Sequence, residues 1–407
     1  MNPTKLIFNP FAAEFHQNPY PTYAKLRRED PIHWSLLNAW VITRYDDVKS
    51  LLQDPRFQVD DLPLRLQNKS SYLKQGDLYT LSKTVDKWLF FQKAPEHTRL
   101  RGLVSKVFSP GSVELMRPLI QANVNDLLNK VKPDGKIDLI KDLASPLPAL
   151  TVTNILGLPT EDFEKLICWS YDLFFVFDQP MSLEGYQRQN EIAIEAREYL
   201  LDFMAQQRQY PNQGLISQLQ RLKDQENGLS EDEILGFCIM LLIVGQETTK
   251  SFIGNAILAL IQHPDKLAQL KNNPEITNQV VEELLRYDTP VQVIARLATE
   301  EVKMRDKTIR QGDKVILCLG AANRDPDQFP EPDILNVKRP NRNLPFGGGI
   351  HFCLGAFIAR VQGQIAINTI VQDLANIQLA TDKLDWRESI TLRGLKSLPL
   401  TFNTNLR

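Results

Sequence analysis

The clearest pattern in the chain begins at LSEDEILGF. Ser230 precedes Glu233 by three residues, the spacing at which a hydroxyl and a carboxylate each cap the other's backbone N–H. No proline follows until Pro264, so the pattern predicts a helix of about 33 residues, roughly 50 Å long. Its middle, FCIMLLIV at residues 237–244, is apolar on every side and belongs in a protein interior. The next residues, GQETTK at 245–250, set a glycine, a carboxylate and two hydroxyls inside that apolar stretch. A second helix is expected from Pro274, with Asn273 as its cap and proline in the first turn. There Ile276, Val280 and Leu284 share one face, with Val281 and Leu285 beside them. AWVITRYDDVKSLL reads as a short strand running into a helix, and TIRQGDKVILCL and SLPLTF read as strands. From Glu96 onward helical periodicity dominates, whereas residues 58–84 are weakly patterned and are expected to form a long loop with one short helix. Helices do not alternate regularly with strands, so the expected class is mainly α with a little sheet (α+β).

Length and composition change this picture little. A chain of 407 residues exceeds the usual size of one domain. Yet it has no internal repeat, low-complexity tract or proline-rich seam, and one compact unit over 1–407 is as consistent with it as two domains. A net charge of −2 points to neither a nucleic acid nor an anionic membrane as partner. The four cysteines, Cys168, Cys238, Cys318 and Cys353, form no C-x-x-C pair and no disulfide framework, which fits a reducing, cytoplasmic setting. The five histidines are scattered without zinc-type spacing. No basic segment followed by an apolar block opens the chain, and the longest apolar run falls far short of the roughly 20 residues that span a bilayer. Neither a secretory signal nor a membrane anchor is expected.

The chemistry concentrates in LPFGGGIHFCLGAFIAR, residues 344–360. An isolated thiol is most often a buried structural cysteine. Around Cys353, however, Gly347, Gly348, Gly349 and Gly355 strip the backbone bare on both sides, so a flat rigid group could come close. Helical patterning resumes after Gly355, which puts the thiol just before a helix start, where negative charge is favoured.

This stretch resembles the cysteine-ligand loop of the cytochrome P450 superfamily, F-G-x-G-x-H-x-C-x-G-x-x-x-A-R. Phe346, Gly347, Gly349, His351, Cys353, Gly355, Ala359 and Arg360 meet every fixed position. The resemblance implies haem b (iron protoporphyrin IX), with Cys353 as axial thiolate and Phe346, Gly349, His351 and Gly355 around it. Three further motifs appear in the family's order. ELLR resembles its E-x-x-R pair, implying a buried Glu283–Arg286 unit joined by Arg339, with Asn336 where relatives often carry aspartate. VGQETT resembles A/G-G-x-D/E-T-T, implying proton delivery by Glu247 and Thr248. Val244 departs from its first position, and Gly245 leaves a gap for dioxygen. APEHTRLR resembles P-P-E-H-x-R-x-R, implying that His97 and Arg101, four apart on one helical face, hold haem propionates together with Arg296 and His351.

The resemblance spans nearly the whole chain and implies a single mostly helical unit with a small sheet-rich lobe. It implies a monooxygenase that inserts one atom of dioxygen into a lipophilic small molecule, by hydroxylation or epoxidation. No flavin or nicotinamide motif is present, so electrons are expected from a ferredoxin-type iron–sulfur protein and its NAD(P)H-dependent reductase, docking at basic residues such as Arg99, Lys106 and Arg360. A peroxide-driven enzyme and a non-catalytic haem sensor are the alternatives. The first usually lacks the acid–alcohol pair, and the second needs none. Substrate-pocket residues are expected in 58–91 and 171–177, at Met240 to Val244, and at Gln292, Val293 and Leu392.

Overall fold

A computed structural model describes residues 6–73, 78–178, 182–223 and 228–404. The long helix runs Glu231–Gln262. Its capping box is formed: Ser230 Oγ accepts the Glu233 N–H at 3.2 Å and Glu233 Oε2 accepts the Ser230 N–H at 2.7 Å. The helix continues unbroken through residues 245–250 and packs against helices Pro146–Leu156, Phe163–Phe174 and Ala356–Asp373. Among the described residues it alone is long and apolar enough to cross a membrane, but 78% of that apolar window is buried inside the protein. It is a core helix, as all-round apolarity requires.

Two expectations are corrected. Residues 58–84 are not mainly loop. Strand Phe57–Val59 leads into helices Leu62–Leu73 and Tyr79–Asp86, while residues 74–77 lie outside the described part. These helices are short, and among the side chains described they bury few, Leu62, Leu66, Leu81 and Val85 among them, which leaves their apolar period faint. At Pro274 the chain first makes a 3-10 turn, Pro274–Ile276, and only then the helix Thr277–Tyr287. The Asn273 side chain makes no capping bond. Its backbone N–H instead ends the preceding helix on the carbonyls of Gln269 and Leu270.

The main sheet has five strands in the order Ile32–Trp34, Ala39–Ile42, Lys314–Cys318, Val293–Ala298, Phe57–Val59. Only Ala39–Ile42 and Lys314–Cys318 run parallel, and Arg296 pairs with Val59 on one side and Val315 on the other. Strand Pro399–Thr404 forms a second sheet with Lys136–Asp138 and Leu374–Leu379. The protein is therefore mostly helical, with small sheets.

One buried ion cluster ties the helices to the segment that leads to Cys353. Arg286, 1% exposed, grips Glu283 with two bonds of 2.8 Å. Arg339 approaches the same carboxylate at 3.4 Å. The Asn336 backbone N–H also donates to Glu283, at 2.8 Å, so the side chain at 336 is not what binds the cluster. Arg286 Nη1 then donates to the carbonyls of Asn323 and Pro332, each at 2.9 Å. A buried charge cluster is tolerable only when its remaining donors and acceptors are used in this way.

Candidate active site

The loop ahead of helix Ala356–Asp373 is wound tightly. The Cys353 N–H donates to Phe346 O at 3.0 Å, and the Phe352 N–H donates to Gly349 O at 3.1 Å. Gly347 and Gly349 have φ of 68° and 65°, in the left-handed region that favours glycine. The two serve different ends. Gly347 lines a large internal chamber, together with Gly348, Phe346, His351, Cys353 and Gly355. Gly349, expected beside the cofactor, is not itself in the chamber wall. A Cβ there would lie 2.2 Å from Leu52 O, so its bareness serves packing against helix Tyr45–Gln53. The Cys353 side chain is accessible by area, yet the surface it offers is chamber surface deep in the protein. Burial pushes its thiol up, opposed by a backbone hydrogen bond from Gly355 and by the charges of Arg101 and Arg360.

Beside the thiol sits a group of bases with no anion. His97 and Arg101 come from helix Glu96–Val104, Arg296 from the main sheet and His351 from the cysteine loop, and all four line the chamber. The two imidazole rings are 4.2 Å apart. Arg101 donates to Phe352 O at 2.7 Å and Arg296 to Ala295 O at 2.9 Å. Among the described residues no carboxylate pairs with either. His97 Nδ1 is buried without a partner. Burial pushes Arg296 down to about 10. It also pushes His351 down to about 3, aided by the neighbouring charges of His97, Arg296 and Arg101. Such a set is unfavourable by itself and is completed by a ligand with two negative groups. The haem propionates have that chemistry, and a bare-backboned thiol in the same chamber suits an axial iron ligand. The residues present fit haem.

The central helix supplies another part of the wall: Met240, Leu241, Val244, Gly245, Thr248 and Thr249. The Thr248 hydroxyl donates to Val244 O at 3.0 Å. At Gly245 a Cβ would meet Val152 Cγ2 at 2.7 Å, so close helix packing already demands glycine there. Glu247 does not line the chamber. It is 1% exposed, bonded to Lys250 at 2.7 Å and clasped by Arg387. Helical geometry explains this: residues 244 and 248 share the chamber face, so 247 is turned aside toward 250. The guanidinium of Arg387 lies 4.9, 5.0 and 4.6 Å from the ring centres of Tyr171, Phe174 and Phe175.

Of the expected pocket residues, Met240, Val244 and Val293 line the chamber, and Gln292 and Leu392 do not. Gln292 lies behind the wall, donating to Thr289 O at 2.6 Å, and Leu392 is fully buried in the core. The rest of the wall is largely aromatic and aliphatic: Phe90, Phe91, Phe174, Phe177, Phe237 and Ile390. Sequence reading missed Asp178, Ile390 and Thr391 in the wall and Arg387 behind it. For Asp178 a signal existed, an acid directly after the apolar run LFFVF. Two proposed docking charges are already paired: Arg99 with Glu96 and Glu233, and Arg360 with Glu282. Lys106 is exposed and in no ion pair among the described residues.

Comparison with known proteins agrees with this geometry. Residues 162–385 match the family model "Cytochrome P450". A biotin biosynthesis cytochrome P450 of Bacillus subtilis (strain 168) is 38% identical, over 96% of this chain and 98% of that protein. Cytochrome P450 monooxygenase PikC of Streptomyces venezuelae is 34% identical, over 98% of this chain and 94% of that protein. Among solved structures, P450BioI in complex with an acyl carrier protein ligated to hexadec-9Z-enoic acid superimposes with a TM-score of 0.90 at 38% identity, covering 96% of this chain and 99% of that one. The chain belongs to the cytochrome P450 family, has its fold, and is a P450 monooxygenase with a haem-iron cofactor.

Proposed function

We propose that the protein holds haem b on Cys353 and uses it to insert one atom of dioxygen into a C–H or C=C bond of a lipophilic small molecule. The observation that carries this reading is that Cys353, the unpaired bases and Thr248 all line one chamber whose remaining wall is mostly apolar. Haem bound there supplies oxygen activation; the second oxygen atom leaves as water, with two electrons and two protons consumed. Cys353 supplies the thiolate ligand, while His97, Arg101, Arg296 and His351 hold the propionates. Thr248 places a hydroxyl at the chamber wall, where it can hold or pass a proton. The aromatic wall excludes water and selects apolar surface. Electrons come from a separate ferredoxin-type protein and its reductase, for which exposed Lys106 is a docking charge. The complex of P450BioI with a fatty-acyl carrier protein supports a long-chain substrate.

The ion pairs of Glu247 favour one second reading. With the acid turned away, the chamber keeps only the alcohol of the expected pair, which suits peroxide as oxygen donor. Isotopically labelled dioxygen with a ferredoxin and reductase tests both. Label in the product, with the product formed per NAD(P)H lowered by about tenfold or more in Thr248→Ala, supports the monooxygenase. Turnover equally fast on peroxide alone, unaffected by Thr248→Ala, supports the second reading. A reduced carbon monoxide adduct with the spectrum of an imidazole ligand refutes both.

A further inference from the structure

Five aromatic rings meet where two short turns of the chamber wall come together. Trp88, Phe90 and Phe91 belong to the 3-10 turn Leu89–Phe91 and the residue before it. Phe174 ends helix Phe163–Phe174, and Phe177 ends the 3-10 turn Phe175–Phe177 that follows. Phe177 is the hub of the group. Its ring centre lies 5.6 Å from that of Trp88, 5.5 Å from Phe90, 6.0 Å from Phe91 and 5.3 Å from Phe174. Its turn is also held by Thr391, whose backbone N–H donates to Asp178 Oδ1 at 3.1 Å and whose hydroxyl donates to Phe177 O at 3.4 Å. Trp88 is fully buried behind the wall, whereas the four phenylalanines line the chamber. Of these, Phe90 and Phe177 are only half-buried, so their rings are presented to whatever enters.

The planes of Phe90 and Phe177 stand 74° apart. Aromatic rings attract through a negative face and a positive edge, and they prefer offset stacks or edge-to-face contacts. A flat π system laid offset on one of these rings meets the other edge-on, so it gains both contacts at once. A puckered saturated group of the same size gains only the burial of apolar surface. The surrounding rings hold Phe177 from four sides, so the corner is preorganised and little freedom is lost on binding. We propose that Phe90 and Phe177 form a subsite for a planar π group, an aromatic ring or conjugated double bonds, carried by an otherwise lipophilic substrate. The substrate class narrows accordingly: molecules with such a group are preferred over saturated ones of equal size.

This subsite rests on the chamber being the substrate pocket beside the haem, and the two can fail separately. Holoenzyme is titrated calorimetrically with phenylbutanol and cyclohexylbutanol, which share a tail and differ in whether the ring is flat, while the Soret band is followed in parallel. The quantity read is the ratio of the two affinities. Comparing that ratio between wild type and variant cancels each compound's own ease in leaving water. Phe177→Leu and Phe90→Leu each keep an apolar side chain and remove a ring, and the reduced carbon monoxide spectrum checks that each still holds haem. Each should lower the preference for phenyl over cyclohexyl by about three- to tenfold, in keeping with one aromatic pair. Phe90 touches two rings, Phe91 and Phe177, where Phe177 touches four, so Phe90→Leu keeps the test open if Phe177→Leu folds poorly. A ratio that is unchanged or raised in either haem-bound variant, with a Soret change in wild type, overturns the π subsite and leaves the pocket standing. Binding to wild type without any Soret change overturns the pocket reading, and with it this subsite.

Discussion

Arg296 offers the sharpest quantitative test of the cofactor site. It is 4% exposed, its one side-chain hydrogen bond goes to a neighbouring carbonyl, and burial pushes its guanidinium down from the ordinary arginine range to about 10. A fall of that size corresponds to about 3 kcal/mol at 1.36 kcal/mol per unit. For a base lowered in the folded state, the charge destabilises the fold wherever both states are protonated. The cost is therefore fully present at neutral pH and fades only as pH climbs above about 10. A propionate offsets it. Arg296→Met keeps length and removes charge. Haem-free protein should keep its stability, or gain up to about 3 kcal/mol, in denaturant unfolding. Haem transfer to an excess of apomyoglobin should accelerate by about ten- to a hundredfold, the value of one charge-assisted hydrogen bond. If Arg296 were merely structural, both forms would lose stability together. Equal destabilisation of haem-free and haem-bound protein, with an unchanged rate of haem loss, would refute the reasoning.

Other expectations follow from the same contacts. Glu283→Gln leaves Arg286 and Arg339 without their carboxylate and should cost about 3–5 kcal/mol in urea unfolding; a loss under about 1 kcal/mol would show that the cluster is not needed. Glu247→Gln should destabilise by a similar amount, about 3 kcal/mol, by stranding the caged Arg387, and adding Arg387→Met should recover part of that loss in a double-mutant cycle. Strict additivity of the two changes would dismiss the coupling. Thr248→Ala should lower the product formed per NAD(P)H consumed by about tenfold or more, within the range for a positioned proton donor, while ligand-induced Soret shifts stay as in wild type. Unchanged coupling would remove Thr248 from proton delivery.

What could be read from the sequence was local, and what could not was set by distant partners. The Ser230–Glu233 box and the core helix behind it are written in adjacent residues, and so is the glycine-flanked thiol. Gly349 belongs to the same motif, but its reason is the carbonyl of Leu52, 297 positions earlier in the chain. Glu247 looks like half of an acid–alcohol pair until the fold supplies Arg387, 140 positions later, to hold it. Residues 58–84 look loop-like because their helices bury so few side chains that the apolar period is faint. Gln292 and Leu392 lie near the wall in sequence terms, but one backbone step decides which side chain faces inward, as Val293 and Thr391 do.

The cage around Arg387 also constrains redesign. The hairpin that carries it presents Ile390 and Thr391 to the chamber, three and four positions further on, so substrate selectivity and structural anchoring share one short stretch of chain. A library meant to alter product profile should therefore randomise 390 and 391 and leave 387 fixed. Varying all of them together would fill the screen with misfolded clones and hide the variants of interest.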